Sequence, residues 1–258
     1  MLNKVHAVTL ILFCVGLASC DLFSDTTSSD PSDLHLDSEI WNEFYQAEVE
    51  APEKEELSDK FREDALRLAL RLALDSDDSY DEVYPPTDIA DAIENAILLI
   101  YNNPELEGWE EVFKEHQISP LPNPNMYEMN VGVEDTTGWA QPWFEGERLT
   151  GKEEVDQLML EFEFEVKQTL QNLRSVTLKA DLPLNLMQVG SLFEDVDGIR
   201  YAEPNSALGD GDDIQIWADR DILHFEFSHG WGDCPSGCIN RKTWEYRVSP
   251  QGDVEFVR

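Results

Sequence analysis

Ile222-Leu223-His224-Phe225-Glu226-Phe227-Ser228 and Thr243-Trp244-Glu245-Tyr246-Arg247-Val248-Ser249 alternate apolar and polar side chains. A period of two belongs to a strand with one buried and one wet face. Leu223, Phe225 and Phe227 then point one way and His224 and Glu226 the other. Trp244, Tyr246 and Val248 face inward, Glu245 and Arg247 outward. Ile214 to Trp217 and Val254 to Arg258 read as two more strands. Asp219-Arg220-Asp221 and Pro250-Gln251-Gly252-Asp253 supply turns. The C-terminal stretch is therefore predicted to be an antiparallel meander.

Upstream the period lengthens. Phe61, Ala65, Leu68, Ala69 and Leu72 recur at helical spacing, as do Ile89, Ala92, Ile93, Ala96, Ile97 and Ile100. The second run starts after Pro86-Thr87-Asp88 and stops before Asn102-Asn103-Pro104. Ile40, Trp41, Phe44 and Tyr45 give a short amphipathic start, and Trp109, Val112 and Phe113 a short fourth helix. Ser119-Pro120-Leu121-Pro122-Asn123-Pro124-Asn125 is a stiff connector and the best candidate for an internal boundary.

Beyond it Met129, Val131 and Val133 alternate as a strand. Thr150-x-x-Glu153 matches a capping box, with Val155, Leu158, Phe162 and Val166 following on one helical face. Glu161 to Glu165 also alternates, so a strand there competes. Val176, Leu178 and Ala180 form a strand, Leu186 to Val196 a helix, and Ile199 to Glu203 a strand. The expected class is α+β. A helical region, 39–118, packs with a βαβαβ unit that continues into the meander, 126–258. Residues 39–258 can together form one domain.

At the start of the chain, Lys4 precedes the apolar run Ala7 to Gly16, and Leu17-Ala18-Ser19-Cys20 follows. This order resembles a bacterial lipoprotein signal, cut before Cys20, which is then acylated. The run is too short to span a bilayer, which takes about 20 apolar residues. Segment 1–19 is then a signal peptide and 20–38, rich in Ser, Thr and Asp, a lipidated flexible tether. The implied place is the cell envelope, with Cys20 anchoring the body to a membrane at the periplasmic side or the cell surface. Asp21 resembles the inner-membrane retention signal of enteric bacteria.

Fifty-four acidic residues oppose 18 basic ones, a net charge of −36. Such a chain is repelled by nucleic acid and by anionic headgroups, so nucleic-acid binding is excluded as a function class. The acids spread along the whole chain, which favours a solvated surface over divalent-cation binding or a basic partner. Gly209-Asp210-Gly211-Asp212-Asp213 offers Asp210, Asp212 and Asp213 as calcium candidates but lacks the full EF-hand pattern, as does Asp75-Ser76-Asp77-Asp78. Turn formation is the favoured role, and no cofactor is expected.

Of four cysteines, Cys14 lies in the signal and Cys20 is spent on acylation, leaving Cys234 and Cys238. In an exported protein such a pair reads as a disulfide. A zinc site using His224 and His229, or a redox pair, is the competing reading. The first needs reduced thiolates, and the second normally has a two-residue spacer.

Gly230-Trp231-Gly232-Asp233-Cys234-Pro235-Ser236-Gly237-Cys238-Ile239-Asn240-Arg241, with Tyr201-Ala202-Glu203-Pro204-Asn205, Gly209-Asp210-Gly211-Asp212, Trp244 and the Phe61–Ala69 segment, resembles a family of uncharacterised exported bacterial proteins, many of them lipoproteins. The likeness covers about residues 56–258 and implies no activity. Val176–Ala180, Leu186–Val196 and Gly198–Asn205 are similar to the second half of subtilisin propeptide-like inhibitor domains, which are small βα sandwiches.

Catalytic motifs are sparse. There is no Gly-x-Ser-x-Gly, His-Glu-x-x-His or phosphate-cradling glycine loop. The expectation is an envelope protein that binds a protein partner or plays a structural part. The alternative is an envelope enzyme or protease inhibitor with a site around Glu203, His224, Glu226 and His229.

Overall fold

A computed structural model describes residues 34–36, 38–45, 49–52, 54–76, 80–122, 125–205 and 209–258. The expected signal 1–19, Cys20 and most of the tether lie outside the described residues, as do Asp77 and Asp78. The chain runs α1 (Ile40–Tyr45), α2 (Glu55–Ser76), α3 (Thr87–Tyr101) and a π-helical turn (Glu111–Glu115). β1 (Glu128–Val133), α4 (Gln141–Phe144), α5 (Glu153–Glu161), β2 (Glu165–Leu170), β3 (Ser175–Lys179), α6 (Leu186–Glu194) and β4 (Ile199–Pro204) follow. The last strands are β5 (Asp213–Asp219), β6 (Ile222–Trp231), β7 (Asn240–Val248) and β8 (Val254–Phe256). The class is α+β, with two antiparallel four-stranded sheets.

The first sheet has the order β2-β3-β1-β4. Val131 of β1 faces Val176 of β3 on one side and Ala202 of β4 on the other. With helices between β1 and β2 and between β3 and β4, this is the split βαββαβ topology, which corrects the expected βαβαβ unit by one strand, β2, paired with β3. The second sheet, β5-β6-β7-β8, is the expected meander.

The cores regroup the segments drawn from sequence. Ile89, Ile93, Ile97 and Ile100 on α3 and Phe61, Ala65 and Leu68 on α2 share one core with Leu223, Phe225, Phe227, Trp244, Tyr246 and Val248. A second core is built from Met129, Val131, Val176, Leu178, Val189, Phe193 and their neighbours within 129–202. The helices of 39–118 thus close over the meander, and the βαββαβ unit sits between them in the chain. The Pro-rich connector falls where the chain leaves the first core after Ile118 and enters the second at Met129. Each fully buried isoleucine of α3 contributes about 1.5–3 kcal/mol through burial.

Gly108 makes a close approach that needs glycine. Its φ is 77°, and a Cβ there would lie 2.2 Å from Cδ1 of Trp244. Beside it the Tyr246 hydroxyl donates to Glu107 O at 2.9 Å.

Two local expectations are corrected. The helix over Val155–Val166 ends at Glu161, because Glu163 takes a φ of 54°, which no right-handed helix accommodates. Phe162 and Phe164 are both buried around this kink, and Val166 belongs to β2. The Thr150–Glu153 box does not form. Asp156 reaches back instead and accepts from the Thr150 N–H (2.6 Å), the Thr150 hydroxyl (2.9 Å) and the Gly151 N–H (2.8 Å).

Candidate functional site

Three of the four candidate site residues lie on the second sheet, two of them, His224 and Glu226, joined through Glu245 and Arg258, and His229 apart from them. His224 and Glu226 sit on the outer face of β6, and each acquires its own partner. Nδ1 of His224 lies 3.0 Å from Oε1 of Glu245, across the sheet on β7, and the imidazole stacks on Trp217 of β5 at 5.1 Å between centroids. Glu226 accepts from the Arg258 guanidinium at 3.0 Å, and that same guanidinium lies 2.9 Å from Glu245. Glu203 is on β4 of the other sheet, opposite Asn130. Among the described residues neither His224 nor His229 hydrogen-bonds a serine, threonine or cysteine side chain. The His224–Glu245 pair has the geometry of an oriented acid–base dyad without a nucleophile beside it.

His229 lies at the far end of β6. Its Nδ1 is 2.8 Å from Asp212, and its ring stacks on His116. Glu111, Glu115 and His116 at the π-turn bring ligand-type atoms within 4.8 Å of one another. Lys242, paired with His229 across the β6–β7 ladder, already neutralises Glu111.

The Gly209–Asp213 loop is occupied by protein donors. Asp210 takes Arg241 (2.5 Å), the Gly211 N–H (2.8 Å) and the Cys238 N–H (3.1 Å). These hold its carboxyl down at about 2, the Arg241 hydrogen bond first among them. Asp212 also accepts the Gly230 N–H. Asp213 receives Arg71 at 2.8 Å and the Leu121 N–H at 2.9 Å. Cys234 and Cys238 form a disulfide at the tip of the β6–β7 hairpin. Cys234 O accepts the Asp210 N–H, so the two loops clasp each other.

A cleft of about 410 Å³ lies between α2 and β5. Leu68, Leu72, Leu121, Ile216 and Trp217 supply apolar wall, and Arg71 and Asp75 are its charged groups with Asp213. Desolvation holds the Asp75 carboxyl above its usual range. Trp217 connects this cleft to His224.

The sequence reading missed Glu245, Arg258, Trp217 and His116 as partners. The alternation of β6 and β7 placed Glu245 on the same face as His224, but only the strand register brings them together.

Among the described residues no helix is long and apolar enough to cross a membrane. No family model, no curated protein and no solved structure matches this chain.

Proposed function

We propose that this chain is a lipid-anchored protein of the bacterial cell envelope whose folded body binds a partner and does not transform it. The cleft between α2 and β5 carries the binding reading: it has the size of a ligand site, and its wall mixes apolar residues with the polar groups of Arg71, Asp75, Asp213 and Gln215. The anchor rests on Leu17-Ala18-Ser19-Cys20 after a short apolar run. The net charge of −36 supports a partner other than nucleic acid.

Anchoring is tested by expression in a bacterium fed an alkynyl palmitate. The wild type should be labelled and sediment with membranes, and Cys20→Ala should be unlabelled. An unlabelled wild type refutes the anchor.

One contact favours the second reading, an envelope enzyme. His224, oriented by Glu245, stacks on a wall residue of the cleft. That reading requires the wild type to turn over a substrate on a broad hydrolase panel and His224→Ala to lose the activity. Turnover that meets both conditions replaces the binding proposal.

A further inference from the structure

We infer that the free edge of β5 binds an extended, lysine- or arginine-bearing peptide segment of a partner protein by strand addition, in the cleft against α2. The inference rests on the binding reading above and names the occupant of that cleft.

The two sheets have four terminal strands, and three carry features that discourage pairing. β2 holds Lys167 and an irregular register. β4 ends in Pro204. β8 has three residues. β5 differs. Its seven residues, Asp213-Ile214-Gln215-Ile216-Trp217-Ala218-Asp219, pair with β6 in unbroken register and include no lysine, proline or bulge. A strand of this kind is a template for another strand unless something covers it.

The direction of its backbone groups follows from one contact. Arg71, on α2, donates to the carbonyl of Ile214. Ile214 therefore aims its backbone away from β6, and by alternation so do Ile216 and Ala218. Among the described residues no hydrogen bond reaches the outward N–H or C=O of Ile216 or Ala218. Both Ile216 and its neighbour Trp217 line the cleft. An added strand would exchange hydrogen bonds with Ile216 and Ala218 and place alternate side chains against Leu68, Leu72 and Trp217.

Charge selects the occupant. A second hollow, of about 580 Å³, lies beyond it at the end of β5 and the following turn, from Ala218 to Asp221, against Ser38, Glu39, Ile40 and Glu43. Across the two hollows the carboxylates are Asp75, Asp213, Glu39, Glu43, Asp219 and Asp221, and the cations are Arg71 and Arg220. Arg71 is already paired with Asp213. A basic side chain entering beside Asp75 would compensate a carboxylate that the cleft partly desolvates. The chain as a whole attracts cationic segments and repels acidic ones.

The test uses the full-length protein in detergent and three labelled octapeptides: alternating lysine–valine, alternating glutamate–valine, and the lysine–valine peptide methylated on every second backbone nitrogen. Binding is read by anisotropy and by amide exchange at Ile216 and Ala218. The lysine–valine peptide should bind and slow exchange at both amides. The glutamate peptide should not bind, and methylation should weaken binding at least tenfold. Ile216→Pro removes the outward N–H and should abolish binding. Asp75→Lys, at the exposed rim of the cleft, should weaken it at least tenfold and guards against a misfolded proline variant. Equal binding of the methylated peptide, or binding without protection at Ile216, overturns strand addition and leaves only charge attraction. If none of the peptides binds, strand addition fails. The broader binding reading is separate: it fails as well if a small-molecule library leaves the NMR shifts of Leu72 and Trp217, on the cleft wall, unchanged.

Discussion

The imidazoles of His116 and His229 lie face to face, their centroids 3.9 Å apart and their planes within 11° of parallel. One ring comes from the end of the π-turn and the other from β6, so the stack ties the helical layer to the hairpin that carries the disulfide. Trp231 stacks with His229 at 5.5 Å, and Asp212 fixes the His229 ring through Nδ1. His229→Ala is expected to destabilise the protein by about 1 kcal/mol, the scale of an aromatic pair. It should speed amide exchange across Glu111–His116 more than in the βαββαβ unit. Unchanged exchange at the π-turn would show that the stack holds nothing.

Asp210 gives a pH prediction with a definite sign. Its folded pKa, about 2, lies below its ordinary value, so ionised Asp210 favours the fold. That contribution is complete above the ordinary aspartate value of about 3.9 and disappears as pH falls through the folded one. Asp210→Asn should therefore melt below the wild type at pH 6, and the gap should close between about pH 4 and pH 2. Thermal melts across that window check it, and a gap independent of pH would contradict it.

Cys234→Ser is expected to cost about 2 kcal/mol, the loop-entropy value for so short a ring. Because Cys234 O and the Cys238 N–H both bond Asp210, the double variant with Asp210→Asn should lose less than the sum of the two single losses. Alkylation of the wild type without reductant should label neither Cys234 nor Cys238. Labelling of both would remove the premise.

Gly190, on α6, brings its helix close against β4 in the second core. A Cβ there would lie 2.4 Å from the carbonyl oxygen of Ala202. Gly190→Ala should destabilise the βαββαβ unit by about 1–3 kcal/mol through overpacking. Exchange should rise at Val131 and Val176 and stay unchanged at Phe225 and Tyr246. A uniform rise over both cores would mean that they unfold as one.

The strands legible in the sequence are those whose two faces meet different solvents. Leu223, Phe225 and Phe227 are buried and His224 and Glu226 lie opposite, so β6 declared itself. α3 did so for the same reason at a period of 3.6. The Glu161–Glu165 stretch did not. Its two phenylalanines are both buried, and a positive φ at Glu163 lies between them, a backbone feature no hydrophobic pattern encodes. The disulfide was readable because Cys234 and Cys238 lie four residues apart among glycines and a proline, which let the backbone return on itself. The partners of His224 and His229 were not. Glu245 is 21 residues from His224, and His116 lies on another element from His229. Register and layer packing, which are long-range properties, decide both contacts.

The core that joins α2 and α3 to the meander has a consequence for timing. Arg71 meets Asp213, and Phe113 meets Phe227, across the whole intervening βαββαβ unit. A chain delivered amino end first can finish residues 125–205 from neighbours already present. Phe61, Ile93 and Trp109 must wait, uncovered, for β6 and β7 to arrive. Such non-local closure is slow, and it exposes apolar surface in the interval. β6 and β7 therefore act as a latch, and the helical layer stays pliable until both strands are delivered.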